Sequence, residues 1–430
     1  MATDAPMGQA LAPLRFITCG SVDDGKSTLI GRLLVDSKAV LQDQLAGVQR
    51  AGQTDLALLT DGLSAEREQG ITIDVAYRYF QTPARKFIIG DTPGHEQYTR
   101  NMVTAASTAD AAVLLVDALK LDWHNPDLTL LPQTRRHALL VQLLRVPSVV
   151  FAVNKLDAVA DPARAFAHMS QALRRFAAEA GLDIAALVPV SALQGWGVVQ
   201  AQAPDGTPWP DYQGPSLLEI LETLPYTPAD SHLPLSFSVQ WVEKQHDSAV
   251  TAQGRRIFWG RVASGHVAPG QEVRLFPSGQ SARVAAVHNA ARTPASVGAG
   301  ASAGIILDRE VDLSRGDSVV DAALLAQASG QLQVTVAWMD EEPLVPGRVY
   351  WALHGHRWVK AKVQAIAYRR DIHTLAGEEA QFLAANEMGR ITLQLQEPLL
   401  SLPFAQSRAL GALILVDASS HKTAGAALVE

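Results

Sequence analysis

The chain has 430 residues, 48% of them apolar and 18% charged, with a formal net charge of −7 and one cysteine. That length predicts two or three domains with sizeable cores, a lone cysteine excludes a disulfide framework, and an acidic balance gives no electrostatic case for wrapping nucleic acid. No clean apolar stretch long enough to cross a membrane occurs, and MATDAPMGQALAPL lacks a basic region followed by an apolar one. A cytoplasmic protein, associated with neither membrane nor nucleic acid, is therefore expected.

The first predicted strand, LRFITC, ends on Cys19, a small apolar residue expected in the core rather than as a nucleophile. It runs into GSVDDGKSTL, in which Gly20, four spacers, Gly25, Lys26 and Ser27 fit G-x-x-x-x-G-K-[ST]. Glycines allow backbone N–H groups to face an anion, and the helix predicted over 26–35 adds its positive end. The candidate phosphate-binding residues are Gly20, Ser21, Val22, Asp23, Asp24, Gly25, Lys26, Ser27 and Thr28. Lys26 would lie between the β- and γ-phosphates, and the Ser27 hydroxyl would reach Mg²⁺.

Further along, EREQGITIDVAYRYF carries Thr72, whose hydroxyl can join Mg²⁺ only when a γ-phosphate is bound. Glu66, Arg67 and Glu68 beside it read as a solvated charge run. IDVAYRYF (73–80) alternates as an antiparallel edge strand would, and KFIIGD follows as a continuous apolar strand. It opens DTPGH, with Asp91 able to hold a water of the Mg²⁺ shell and Gly94 able to offer its N–H to the γ-phosphate; Pro93 and His95 complete the motif.

Helices are predicted over 95–107, 133–145 and 161–180, with the strands AAVLLVD, SVVFAVN and ALVPVSA between or after them. Alternation of this kind reads as a doubly wound α/β domain. NKLD follows SVVFAV; Asn154, Lys155 and Asp157 can read a purine edge, the Asp157 carboxylate accepting from N1–H and a 2-amino group. Adenine lacks those donors, so guanine is implied. In the SAL motif, Ser191, Ala192 and Leu193, a backbone N–H can meet the guanine O6.

Near TPADSHLPL the texture changes to short strands broken by glycine and proline, in two blocks that read as antiparallel barrels or sandwiches. The expected division is a phosphate-loop domain at 1–226, a β-barrel domain at 227–328 and a second at 329–430. HGHRW, with His354 and His356 alternating, reads as the polar face of one strand, and no Cys/His metal spacing occurs.

GSVDDGKSTL, GITI, DTPGH, NKLD and SAL resemble the motifs of translational-type GTPases, the elongation factor Tu family, and the two trailing β domains resemble its architecture. VDDGKSTLIGRLL, DGLSAEREQGITIDVAYRYF, DTPGHEQYTRNMVTAAST, QTRRH, WMDEEPLVPGR and ANEMGRITLQL look more closely like the large, GTP-hydrolysing subunit of bacterial sulfate adenylyltransferase. That resemblance implies a GTPase, cycling between GTP and GDP with Mg²⁺. It implies a heterodimer with a small adenylylating subunit, which makes adenosine 5'-phosphosulfate from ATP and sulfate in sulfate assimilation. Carried over by position, Asp23, Gly25, Lys26, Ser27 and Thr28 form the phosphate loop. Lys26, Thr72 and His95 are the candidate catalytic residues, and Ser27, Thr72 and Asp91 the candidate metal ligands. His95 would orient the attacking water between Val22 and Ile71 as an apolar gate. A translation factor delivering aminoacyl-tRNA shares the plan and is the alternative. Two segments, 119–132 and 242–256, are longer than the family pattern, as surface excursions or as altered partner contacts. No second G-x-x-x-x-G-K-[ST] occurs, so the fused adenylylsulfate kinase of some relatives is expected to be missing.

Overall fold

The computed structural model describes residues 12–38, 49–50, 53–54, 56, 72, 74–95, 98–201, 212–227, 229–244 and 256–430. Ile71, the charge run at 66–68 and most of the 242–256 segment lie outside these residues. The chain forms two compact units, Met1–Thr227 with Ile372–Leu375, and Pro228–Asp371 with Ala376–Glu430.

The first unit is built on β1 (Leu14–Cys19), α1 (Lys26–Asp36), β2 (Ala76–Gln81), β3 (Lys86–Asp91), α2 (Thr99–Ala106), β4 (Ala111–Asp117), α3 (Pro132–Leu143), β5 (Ser148–Asn154), α4 (Pro162–Ala180), β6 (Ile184–Pro189) and α5 (Leu217–Thr223). The sheet order is β2-β3-β1-β4-β5-β6. Only the edge strand β2 runs antiparallel, against β3; the other pairings are parallel. Every residue of β4 and β5 is buried, which is why both read as continuous apolar runs. One face packs Leu29, Ile30 and Leu33 of α1 against Phe16, Phe87 and Val113, with Leu217 and Leu221 of α5 in the same cluster.

The helix ends follow from local chemistry. Asp161 caps α4 by accepting the Arg164 N–H at 3.1 Å, with Pro162 in the first turn and Gly181 left-handed at φ 67 after the last. Ser216 and Glu219 form a reciprocal capping box on α5. The other end of α5 is held by Arg85, 4% exposed, from the turn between β2 and β3. Its guanidinium donates to the carbonyls of Leu221 (3.4 Å), Glu222 (3.3 Å) and Leu224, and to that of Ala12 (2.9 Å).

The second unit contains two barrels. Strands β7 (Ser236–Lys244), β8 (Arg256–Ser264), β9 (Glu272–Phe276), β10 (Ser281–Asn289), β11 (Ser302–Leu307) and β12 (Ser318–Val320) close in the order β8-β11-β10-β9-β12-β7 around Phe237, Phe258, Leu275 and Ile305. Strands β13 (Ala328–Trp338), β14 (Val349–His354), β15 (Arg357–Arg370), β16 (Met388–Leu400), β17 (Ala412–Asp417) and β18 (Thr423–Val429) follow in the order β14-β17-β18-β13-β16-β15, and a β14–β15 pairing closes the ring. Trp338 and Tyr350 meet edge-on in its core at 5.3 Å. Phe276, Val320 and Leu324 pack with Leu400, Leu402 and Leu410 between the two barrels. HGHRW is not one strand. His354 ends β14, Gly355 turns at φ 57 and Arg357 starts β15, so two strands meet where alternation suggested one face. No helix among the described residues is long and apolar enough to cross a membrane.

Arg85→Ala leaves three carbonyls at the α5 end and that of Ala12 without their donor. The α/β unit should lose about 2–4 kcal/mol of stability, read as an earlier thermal or urea transition by circular dichroism. An unchanged transition would mean that the Arg85 clip does not hold the helix.

Candidate functional site

The parallel strands end side by side. Thr18 is level with Asp91, Cys19 with Leu114, Asp117 with Asn154, and Val153 with Pro189. The loops that follow these strands carry the sequence motifs, which therefore gather along one edge of the sheet, where ligands of such folds bind.

The phosphate loop turns on two left-handed residues, Asp23 at φ 64 and Gly25 at φ 92. A side chain on Gly25 would meet Asn154 Nδ2 at 2.5 Å. Lys26, 6% exposed, donates from Nζ to the carbonyls of Gly20 (2.9 Å) and Ser21 (2.7 Å). An ammonium has three donors, so one is left for an anion. Burial pulls the Lys26 pKa down, and Asp91 and Asp24 oppose that pull. Gly94 lies against the same head: an added Cβ would fall 2.5 Å from Lys26 Nζ and 2.8 Å from Gly20 O. Asp91, 2% exposed, accepts from Thr18 Oγ1 at 3.4 Å, and Thr92 Oγ1 donates to Thr18 O at 2.6 Å. Pro93 is buried, Val22, Ser27, Thr28 and Thr72 are half-buried, and His95 is exposed, its ring centre 6.1 Å from that of Tyr98. Cys19 is fully buried, and burial pushes its thiol up to about 12, which makes it inert.

The residues of NKLD differ in their contacts. Asn154, 2% exposed, donates from Nδ2 to Asp24 O at 2.8 Å and accepts the Ala192 N–H at 3.0 Å, so its amide ties the phosphate loop to the SAL loop. Lys155, left-handed at φ 64, donates to Asp23 O (2.6 Å) and to Asp117 (2.7 Å). Asp157 is half-buried, and its carboxylate makes no hydrogen bond or ion pair with any described residue. Ser191 Oγ accepts the Gln194 N–H at 3.1 Å, and Leu193 is 63% exposed. Arg32 of α1 donates to the carbonyls of Ala192 (3.2 Å) and Leu193.

Among the described residues no three His, Cys, Asp or Glu groups cluster as a metal cage. A hydroxyl at Ser27 and a carboxylate at Asp91 are oxygen donors, a set that suits Mg²⁺ completed by phosphate and water. Lys120, Gln133 and His137, which the sequence alone does not single out as site residues, also belong to the site. Lys120 pairs with Asp24 at 2.8 Å. Gln133 of α3 donates from Nε2 to Gly94 O at 3.2 Å, and the same nitrogen lies 2.8 Å from His137 Nε2. QTRRH resembled the family, yet nothing in its spacing shows that its glutamine reaches Gly94.

Residues 13–227 match the elongation factor Tu GTP binding domain family, and residues 331–430 match the GTP-eEF1A C-terminal domain-like family. The chain is 42% identical to sulfate adenylyltransferase subunit 1 of Laribacter hongkongensis, over 97% of this chain and 85% of that one. It is 45% identical to the bifunctional enzyme CysN/CysC of Xylella fastidiosa, over 98% of this chain and 66% of that one. It is 42% identical to the bifunctional enzyme NodQ of a Rhizobium species, over 97% and 63%. It thus spans about two-thirds of the length of those bifunctional relatives. Among solved structures, a bacterial selenocysteine-specific elongation factor aligns with a TM-score of 0.47 at 23% identity, over 97% of this chain and 58% of that one.

His137 gives the site a pH signature. Burial, with Lys26 and Arg136 adding repulsion, lowers its pKa from 6.5 to about 3. Between those values the unfolded chain binds a proton that the folded chain does not, so stability falls as pH drops through that window. The slope is at most about 1.4 kcal/mol per pH unit. Urea midpoints at pH 7, 6 and 5 should fall less steeply in His137→Gln than in the parent; equal slopes would contradict the burial of a neutral imidazole.

Proposed function

We propose, since the chain belongs to the family of sulfate adenylyltransferase subunit 1 among GTPases with the elongation factor Tu GTP binding domain, that it is the regulatory GTPase subunit of a sulfate-activating enzyme. The observation that carries the nucleotide reading is the gathering of Lys26, Gly94, Asp91 and the uncommitted Asp157 carboxylate along one sheet edge. In this reading the partner is a small adenylylating subunit. It joins the adenylyl group of ATP to sulfate and releases diphosphate, and GTP hydrolysis here helps to drive that unfavourable step.

Each residue then has a task. Lys26 and the N–H groups of 23–28 hold the phosphates, and Asp157 accepts from the guanine edge. Thr72 and Gly94 respond to the γ-phosphate, and His95 orients the attacking water. Ser27, Thr72 and Asp91 would hold Mg²⁺, which when bound neutralises charge on the β- and γ-phosphates. Loss of the γ-phosphate frees the segments at 72 and 94, so a partner docked on them is bound differently in the two states. The aminoacyl-tRNA carrier reading rests on a shared fold alone.

Base choice tests the site. Asp157→Asn should weaken GTP binding at least about tenfold and improve binding of xanthosine triphosphate, whose 2-position carries oxygen instead of an amine. Equal GTP affinity in mutant and parent would remove Asp157 from the base pocket.

The function is tested by diphosphate release from ATP and sulfate. This chain alone should release none. A mixture with the small subunit should release more when GTP is added, and Lys26→Ala should abolish that gain while sparing basal release. Release by this chain alone, or a mixture indifferent to GTP, would reject the proposal.

A further inference from the structure

The 119–132 segment after β4, longer than the family pattern, reads from sequence as a surface excursion or as an altered partner contact. In the structure it is packed. Leu121, Leu128 and Leu130 are 7%, 4% and 4% exposed. The Trp123 carbonyl lies 2.9 Å from His168 Nδ1 on α4, and Asp127 pairs with Arg175 of the same helix at 3.3 Å. At its start a short 3-10 turn, Ala118–Lys120, is capped by the Asp117 carboxylate, which accepts the Leu119 N–H at 2.9 Å.

Lys120 leaves this turn and reaches behind the phosphate loop. Its Nζ donates to the Val22 carbonyl and to Asp24 Oδ1 at 2.8 Å. Asp24 is 1% exposed, and its other oxygen accepts the Ser21 N–H at 2.6 Å. No lysine or arginine other than Lys120 lies within 4.0 Å of that carboxylate among the described residues. A buried carboxylate in a loop that must hold a polyanion is unfavourable twice over: it loses its own hydration, and it repels the ligand. A neutralising cation offsets part of the first and much of the second.

We propose that Lys120 is a positioning residue for nucleotide retention: it neutralises Asp24 and braces Val22, so that displacing the 118–130 segment loosens the phosphate loop and speeds nucleotide release. Lys120 is suited to being withdrawn. Its side chain is about one-third exposed, 32%, and its neighbour Leu119 is 54% exposed. The lysine thus links a surface segment to the floor of the phosphate site. Lys155 holds the next carbonyl, that of Asp23, but comes from the base-reading loop and pairs with Asp117 instead.

The inference rests on the nucleotide reading above, and its test separates the two. Dissociation of a fluorescent GDP, chased with unlabelled GDP, would be followed for the parent, Lys120→Met, Asp24→Asn, the double variant and Lys120→Arg. Lys120→Met should release GDP at least about tenfold faster, the loss of a charge-assisted contact. The double variant should release GDP more slowly than Lys120→Met, because Asp24 then carries no charge for Lys120 to neutralise, and Lys120→Arg should stay near the parent. Unchanged release in Lys120→Met, or a double variant as fast as the single, would overturn the proposal. Should Lys120→Met fail to fold, the double variant compared with Asp24→Asn decides: equal release supports the brace, and failure of both to hold GDP rejects it. A parent that binds no guanine nucleotide would sink the nucleotide reading only. The brace would then stand or fall on thermal unfolding, in which Lys120→Met must melt below the double variant.

Discussion

The candidate site in the first unit is arranged around a lysine ammonium taken out of water. Lys26 is 6% exposed and is held by two neutral carbonyls, at 2.9 and 2.7 Å. Carbonyl dipoles offset only part of the hydration that a buried cation loses. The remainder has to come from negative charge, from Asp91 and Asp24 within the protein or from an anion brought to the loop. The left-handed turns at Asp23 and Gly25 let the chain wrap this head. Gly94 must be a glycine because a side chain there would collide with Nζ and Gly20 O.

The same constraint explains an apparent conflict in the loop composition. Two adjacent aspartates in a phosphate-binding loop look wrong by charge. The structure separates their roles. Asp23 adopts the left-handed conformation that aspartate tolerates, with an exposed side chain, and offers its carbonyl to Lys155. Asp24 turns inward, where its carboxylate receives the Ser21 N–H and Lys120 and its carbonyl receives Asn154. The loop around Lys26 is thus held from behind by amide and ammonium donors.

Much of this was legible in the chain. β4 and β5 are apolar at almost every position because both faces are covered, and β2 alternates because it is an edge strand with one face exposed. The motifs mark the ends of those strands, and the parallel register aligns those ends. What stayed hidden depends on partners far apart in sequence. Lys120 and Asp24 are 96 residues apart, and Arg85 and Leu224 are 139 apart; neither lysine nor arginine carries a local pattern that names its partner. The leucines of the 119–132 segment lack any period, so their burial could not be read from spacing. His354 and His356 misled for the opposite reason, since a two-residue turn between strands preserves the alternation of a single strand.

The stretch from Asp117 to His137 then has a coherence that its sequence does not show. It opens with a carboxylate that receives Lys155 from the base-reading loop. It sends Lys120 beneath the phosphate loop and, after burying three leucines, sends Gln133 to the carbonyl of Gly94. Gln133 is fixed in turn by His137 on its nitrogen and by Arg136 on its oxygen at 3.3 Å. Packed interiors transmit displacement because they lack room to absorb it. A shift of this stretch is therefore felt at the loop that surrounds Lys26, at the glycine that covers Lys26 and at Lys155, two residues before Asp157. Three loops along one edge of the sheet are thus tied to a single continuous piece of chain.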